Sequence, residues 1–206
     1  LQKRFPRARV ISLDSALEML PGRGWLAGLL PSRETAVCAD LEKLPLADGS
    51  IDLVWSNMAL HWLSDPLPAF REFARVLAPE GLLMFSTLGP DTLKELRAAA
   101  GAARVHAFID MHDLGDMLVA AGMSAPVMDM ELIEIEYRST SLVDDLRASG
   151  QTNARTDRPR GLSGLGFNKR LGTPPRATFE VVYGHAWSGR KVEPEAKTVR
   201  IFKRMP

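Results

Sequence analysis

Four short apolar runs in the first half of the chain each end in polar residues. Val10 to Leu13 leads to Asp14, and Ala36 to Ala39 leads to Asp40. Ile51 to Trp55 leads to Ser56 and Asn57, and Leu82 to Phe85 leads to Ser86 and Thr87. Near-continuous runs of this length suit strands buried on both faces of a parallel sheet. Between and after them the period becomes helical. Ser15 to Leu20 reads as a short helix. Leu67, Phe70, Ala74 and Leu77 share one helical face, with Asp65 as cap, Pro66 in the first turn, and Pro79 and Gly81 as the stop. Thr92 and Glu95 stand at capping-box spacing for a helix running to Ala100, and Asp110 caps another that ends near Gly122.

This alternation predicts an α/β fold: a doubly wound, mostly parallel sheet with helices on both faces. Ligands of such sheets bind beyond the carboxyl ends of the strands. Asp14, Asp40, Ser56, Asn57 and Thr87 all fall on that edge. The second half has a different texture. Val127 to Tyr137 reads as a strand with a change of phase near Glu131, and Ser141 opens a short helix ended by Gly150. The stretch from Gln151 to Arg176 is polar, Gly-rich and basic, which predicts a lid near 138–176. Thr178 to Trp187 and Thr198 to Phe202 read as late strands on an antiparallel edge. The whole of 1–206 is expected to be a single domain.

Composition narrows the classes. Net charge is +1 and 46% of residues are hydrophobic, with no dense basic block that would mark a nucleic-acid partner. No apolar run is long enough for a bilayer span. A single cysteine, Cys38, allows no internal disulfide and suits a reducing cytoplasm. His61, His112 and His185 lack metal-ligand spacing, so no metal site is expected. Met117, Met128 and Met130 read as gap-filling core.

Two carboxylates carry the first chemical signal. Asp14 at a strand end can accept hydrogen bonds from both hydroxyls of a ribose, or it can cap the segment that follows. Asp40 can accept from an adenine amino group, or it can serve as a turn residue. The surrounding residues add weight. Ala39-Asp40-Leu41-Glu42-Lys43-Leu44-Pro45 runs through a turn into Ile51-Asp52-Leu53-Val54, then Trp55-Ser56-Asn57-Met58-Ala59-Leu60-His61-Trp62. Phe70-Arg71-Glu72-Phe73-Ala74-Arg75-Val76-Leu77-Ala78-Pro79-Glu80-Gly81 follows. Together these resemble the class I S-adenosylmethionine-dependent methyltransferases over the middle third of the chain.

That resemblance implies a Rossmann-like fold and S-adenosyl-L-methionine as cofactor. It implies that Asp14 holds the ribose and that Asp40, with the backbone amide of Leu41, faces adenine. Ser56 and Asn57 would then lie near the cofactor's amino-acid part and its transferable methyl. The family's Gly-x-Gly-x-Gly turn is not found in these residues, and Gly22 and Gly24 follow the Asp14 strand rather than precede it. The expectation is that native residues precede Leu1.

A narrower likeness comes from Trp55-Ser56-Asn57 with His61-Trp62, from Gly89-Pro90-Asp91-Thr92-Leu93-Lys94-Glu95-Leu96-Arg97, and from His106 to Gly115. Asp145 to Ala154 and Phe179 to Trp187 extend it. These are similar to the malonyl-acyl-carrier-protein O-methyltransferases of biotin synthesis, with a shorter segment between Gly161 and Ala177. The implied reaction methylates the free carboxylate of a malonyl group on acyl carrier protein. A carboxylate is already ionised at neutral pH and needs no strong general base. Arg147 and Arg155 are candidates to bind it through a two-pronged guanidinium contact. His61 is a further substrate-binding candidate, which packs over the cofactor site or simply covers the sheet edge. The basic residues of 151–176 would meet the acidic carrier. Two other readings remain: a relative of the branch linked to respiratory complex I assembly and protein arginine modification, or an inactive binding module.

Overall fold

A computed structural model describes residues 3–20, 34–102, 105–137, 142, 146 and 176–189. Six strands and three α-helices lie within them: β1 (Val10–Asp14), β2 (Glu34–Cys38), β3 (Ile51–Asn57), α1 (Leu67–Val76), β4 (Leu77–Leu88), α2 (Lys94–Ala100), α3 (Met111–Ala120), β5 (Met123–Glu136) and β6 (Arg176–Ser188). β1 and β2 form a parallel pair, and the other four strands form a sheet in the order β3-β4-β6-β5. β3 and β4 are parallel, while β6 runs antiparallel to both β4 and β5. The expected α/β fold with an antiparallel C-terminal side is therefore present, but among the described residues its strands fall into a parallel pair and a mixed sheet rather than one mostly parallel sheet. The strand expected at Thr198–Phe202 and the loop 151–175 lie outside the described residues, as do most of 138–150.

Four details differ from the sequence expectation. Ser15 to Leu20 yields only a 3-10 turn at Leu17–Met19. α1 ends at Val76, before Pro79 and Gly81, and Leu77 starts β4 at once. The cause lies in the preceding loop: Gly49 N–H donates to Arg75 O and Ser50 N–H donates to Val76 O. The last helical carbonyls are thus satisfied by another segment, and the chain is free to leave the helix. The irregularity in β5 lies between Ser124 and Val127, where Ala125 has φ 49, not near Glu131. Met117 and Met128 do pack on the core, but Met130 is exposed.

α1 and α3 cover one face of the four-stranded sheet. Phe70, Phe73, Leu114 and Leu118 meet Leu83, Phe85, Val182 and Ala186 there. The Phe70 and Phe85 rings are 5.6 Å apart. Phe85 lies across from Gly184 in the β4–β6 register, and a Cβ on Gly184 would sit 2.3 Å from the Phe85 ring. Glycine is needed there because the ring occupies the space. The opposite face presents Trp55, Met84, Tyr183 and Trp187, all exposed among the described residues. A smaller cluster joins Leu93, Val105, Leu142 and Ala177.

Candidate functional site

The two parallel pairs each bring predicted residues to their C-terminal edges. On the first pair, Ala39 N–H donates to Asp14 O at 3.1 Å, so the ends of β1 and β2 are joined. Asp14 Oδ1 accepts from Ala16 N at 2.8 Å, and Asp40 Oδ1 accepts from Glu42 N at 3.0 Å. Each aspartate therefore shapes its own turn, as the local alternative anticipated for Asp40; Asp14 makes a turn rather than the anticipated helix cap, since Ala16 stands at the N-cap of Leu17–Met19 with no side-chain bond. A carboxylate has further acceptor capacity, so this bond does not use up the group. Cys38 Sγ lies 3.4 Å from Ser15 O.

The loop after Asp40 is held by Arg75, which sequence reasoning did not single out. Its guanidinium donates to Leu44 O at 2.9 Å, Leu46 O at 2.8 Å, Asp48 Oδ1 at 2.6 Å and Glu72 Oε2 at 2.7 Å. Glu72 Oε2 also accepts from Leu44 N at 2.8 Å. The hydrogen bond from Arg75 holds the Glu72 carboxyl below its usual range, against a smaller opposing effect of burial. The readable signal was the pair Glu72 and Arg75, three residues apart on one helix, facing a loop that offers Asp48. Leu41 lies within this segment and packs against the main core.

On the second pair, Asn57 and Ser86 meet across β3 and β4, with Ser86 Oγ donating to Asn57 Oδ1 at 2.7 Å. Met58 N–H donates to Ser86 O, and Met58 takes a left-handed φ of 53. This turn carries the chain into a 3-10 segment, Leu60–Trp62, that buries Leu60 and His61. Ser56 is also buried, and its Oγ has no hydrogen-bond partner. Both ring nitrogens of His61 are in the same state. Burial, followed by the charge of His106, lowers the His61 pKa to about 4. Thr87 is buried rather than presented at the edge.

The turn after β4 behaves differently. Thr92 and Glu95 do not form a capping box. α2 begins at Lys94, preceded by Leu93 at φ 56 with no side-chain cap. Instead both side chains reach β6. Thr92 Oγ1 donates to Glu180 O at 3.2 Å and accepts from Glu180 N at 3.1 Å. Glu95 accepts from Thr178 N at 2.9 Å and from the Thr178 hydroxyl. Glu180 Oε2 accepts from Asp91 N at 2.6 Å. Tertiary partners on β6 took the groups that spacing assigned to a local cap. Asp110, by contrast, caps α3 as expected, accepting from His112 N at 2.8 Å. His112 is exposed and serves this cap. His185 faces Met84 and Val127 on the open sheet face, in a cleft of about 390 Å³ that also includes Trp55, Asp129 and Tyr183. Arg147 and Arg155 lie outside the described residues.

The structure thus assembles two strand-edge groups, Asp14 with Asp40 and Ser56 with Asn57 and His61. Comparison with known proteins gives this edge its setting. Residues 1–85 match a methyltransferase-domain family profile. The solved structure of the YcgJ protein from Bacillus subtilis matches 90% of this chain and 85% of its own, with a TM-score of 0.60 at 18% identity, which shows the fold. The malonyl-[acyl-carrier protein] O-methyltransferase of Methylovorus sp. is 51% identical across 91% of this chain and 70% of its own length. That of Laribacter hongkongensis is 49% identical with the same coverage of both chains. The chain belongs to the malonyl-acyl-carrier-protein O-methyltransferase family of class I methyltransferases.

Proposed function

We propose that this protein is an S-adenosylmethionine-dependent O-methyltransferase that methylates the free carboxylate of malonyl-acyl carrier protein, a step of biotin synthesis. The observation that carries this is the identity of about half the residues across 91% of the chain to relatives that bear that name. The residues present fit the cofactor. Ser56 Oγ is a buried polar atom without a protein partner at the end of β3, and Asp14 and Asp40, at the end of the other parallel pair, keep acceptor capacity. On this reading Asp14 accepts from the ribose hydroxyls, and Asp40 with the Leu41 amide meets adenine. Ser56 and Asn57 meet the amino-acid part. When bound, the cofactor supplies a sulfonium methyl group for transfer.

The chain's own work is positional. The acceptor carboxylate is ionised at neutral pH, so no side chain has to remove a proton. Catalysis then rests on alignment and on exclusion of water. Arg75 fixes the loop that carries Asp40 and Leu41, and Ser86 fixes Asn57. Arg147 and Arg155 would pair with the acceptor carboxylate. The basic residues of 151–176 would face the acyl carrier protein as part of a lid near 138–176 on a single domain, in the cytoplasm. No helix among the described residues is long and apolar enough to cross a membrane.

Two measurements test this. Titration calorimetry with S-adenosylhomocysteine should show binding, and its absence rejects the cofactor assignment. Incubation with S-adenosylmethionine and malonyl-acyl carrier protein should add one methyl mass to the carrier, and an unchanged mass rejects the acceptor.

A further inference from the structure

Among the described residues, three buried side-chain polar atoms lack a hydrogen-bond partner: Ser56 Oγ, His61 Nδ1 and His61 Nε2. Ser56 is the penultimate residue of β3 and His61 lies in the 3-10 segment just beyond it, at the ligand-bearing edge of such a sheet. Native proteins almost always satisfy buried polar groups, and an exception asks for a cause. On the reading above, the cofactor would account for Ser56. It does not account for His61, five residues further on and beyond the turn at Met58.

His61 stands among aromatic rings. Trp62 lies 5.0 Å from it at a tilt of 38°, and Phe108, from the segment before α3, lies 6.2 Å away edge-on. His106 backs Phe108 at 5.3 Å. A phenylalanine or leucine would pack in this setting without leaving two nitrogens unmatched. Retaining an imidazole there disfavours the ligand-free fold, and a hydrogen-bonding ligand would offset that cost.

The acceptor carboxylate is the group that fits. We propose that His61 is an acceptor-binding residue: its ring N–H donates to one oxygen of the methyl-accepting carboxylate, and the other oxygen is left to attack. Trp62, nearly half exposed, is the side chain that turns aside to admit it. The lowered pKa supports the role, because the ring stays uncharged at neutral pH. An uncharged N–H adds orientation to a carboxylate whose charge Arg147 and Arg155 would balance, without placing a further cation on it. His61 neither takes nor gives a proton in this scheme. The inference rests on the malonyl-carboxylate reading above and assigns one residue to it.

The test compares His61→Phe and His61→Gln with the wild type in the full chain. Melting of ligand-free protein should show His61→Phe at least as stable as wild type. With malonyl-acyl carrier protein, His61→Phe should raise KM for the acceptor tenfold or more while S-adenosylhomocysteine affinity stays within twofold. His61→Gln, which keeps an N–H donor, should recover most of the loss. A lower melting temperature for both variants with acceptor KM unchanged would overturn the proposal and make His61 a structural residue. If His61→Phe does not fold, an acceptor KM for His61→Gln no closer to wild type than that of His61→Leu would overturn it as well. Absence of methyl transfer by the wild type rejects the malonyl reading itself, and this inference with it.

Discussion

β3 and β4 are parallel neighbours, yet the chain leaving each is built on opposite terms. After β4, the turn through Thr92 to Glu95 is matched to β6: Thr92 exchanges two hydrogen bonds with the Glu180 backbone, and Glu95 takes both donors of Thr178. At the end of β3 and just beyond it, Ser56 and His61 are buried without partners. Burial is similar in both places, and only the accounting of polar groups separates them. Matched groups at a sheet edge hold the fold, and unmatched groups beside them mark where a ligand completes it.

The largest expected effect comes from breaking the matched side. Glu180→Ala strips the acceptor from Asp91 N and leaves a gap beside Gly89, so stability should fall by about 3 kcal/mol in urea unfolding. A loss no greater than that of an exposed surface substitution would remove the contrast. Next is the pH response of the unmatched side. Folded His61 binds its proton less readily than the unfolded chain, so its stability is fully present above pH about 6.5 and is lost as pH falls toward 4. The full loss amounts to about 3 kcal/mol at most, shared with the neighbouring His106. His61→Phe should flatten that part of the acid limb, and an identical pH profile in the variant would contradict the assigned burial. Glu72 titrates in the same sense at lower pH: its carboxyl is held below the usual range, so its stability is lost as acid protonates it.

Asp14→Ala should weaken S-adenosylhomocysteine binding by about tenfold or more, as expected for losing a charged hydrogen-bond acceptor. Wild-type affinity by calorimetry would reduce Asp14 to the turn residue it also is. Arg75→Lys should lower stability by less in urea unfolding, because an ammonium cannot span Leu44 O, Leu46 O and two carboxylates at once. Smallest is Met58→Asn, which should gain up to about 1 kcal/mol by suiting the left-handed turn. A gain there with no change in acceptor KM would show that the turn places His61 through its backbone alone.

Much of this was readable from the chain, for stated reasons. The parallel strands showed as near-continuous apolar runs, although they are not buried on both faces: Ile11, Trp55 and Met84 are exposed. Asp110 was legible as a cap because its partner, His112 N, is two residues away. Thr92 and Glu95 were misread because their partners are more than eighty residues distant, and spacing carries no trace of that. Arg75 escaped for the same reason, since its acceptors are backbone oxygens of another loop. The family likeness reached Ser56 and His61 by position, but their unmatched state is a property of packing.

β5 has a consequence for handling the protein. Among the described residues it is a long outer strand, and Met130, Leu132, Ile133 and Ile135 along it are all exposed. Such an edge invites another chain to add to it. Here Asp129 turns its own carboxylate onto Met130 N at 2.8 Å, closing one of the ladder positions, and Glu131, Glu134 and Glu136 intersperse charge among the apolar residues. The colloidal behaviour of the protein should therefore hinge on a few acids that do nothing for its chemistry. Replacing Glu131 and Glu134 with glutamine should favour aggregation at unchanged fold, with light scattering as the readout.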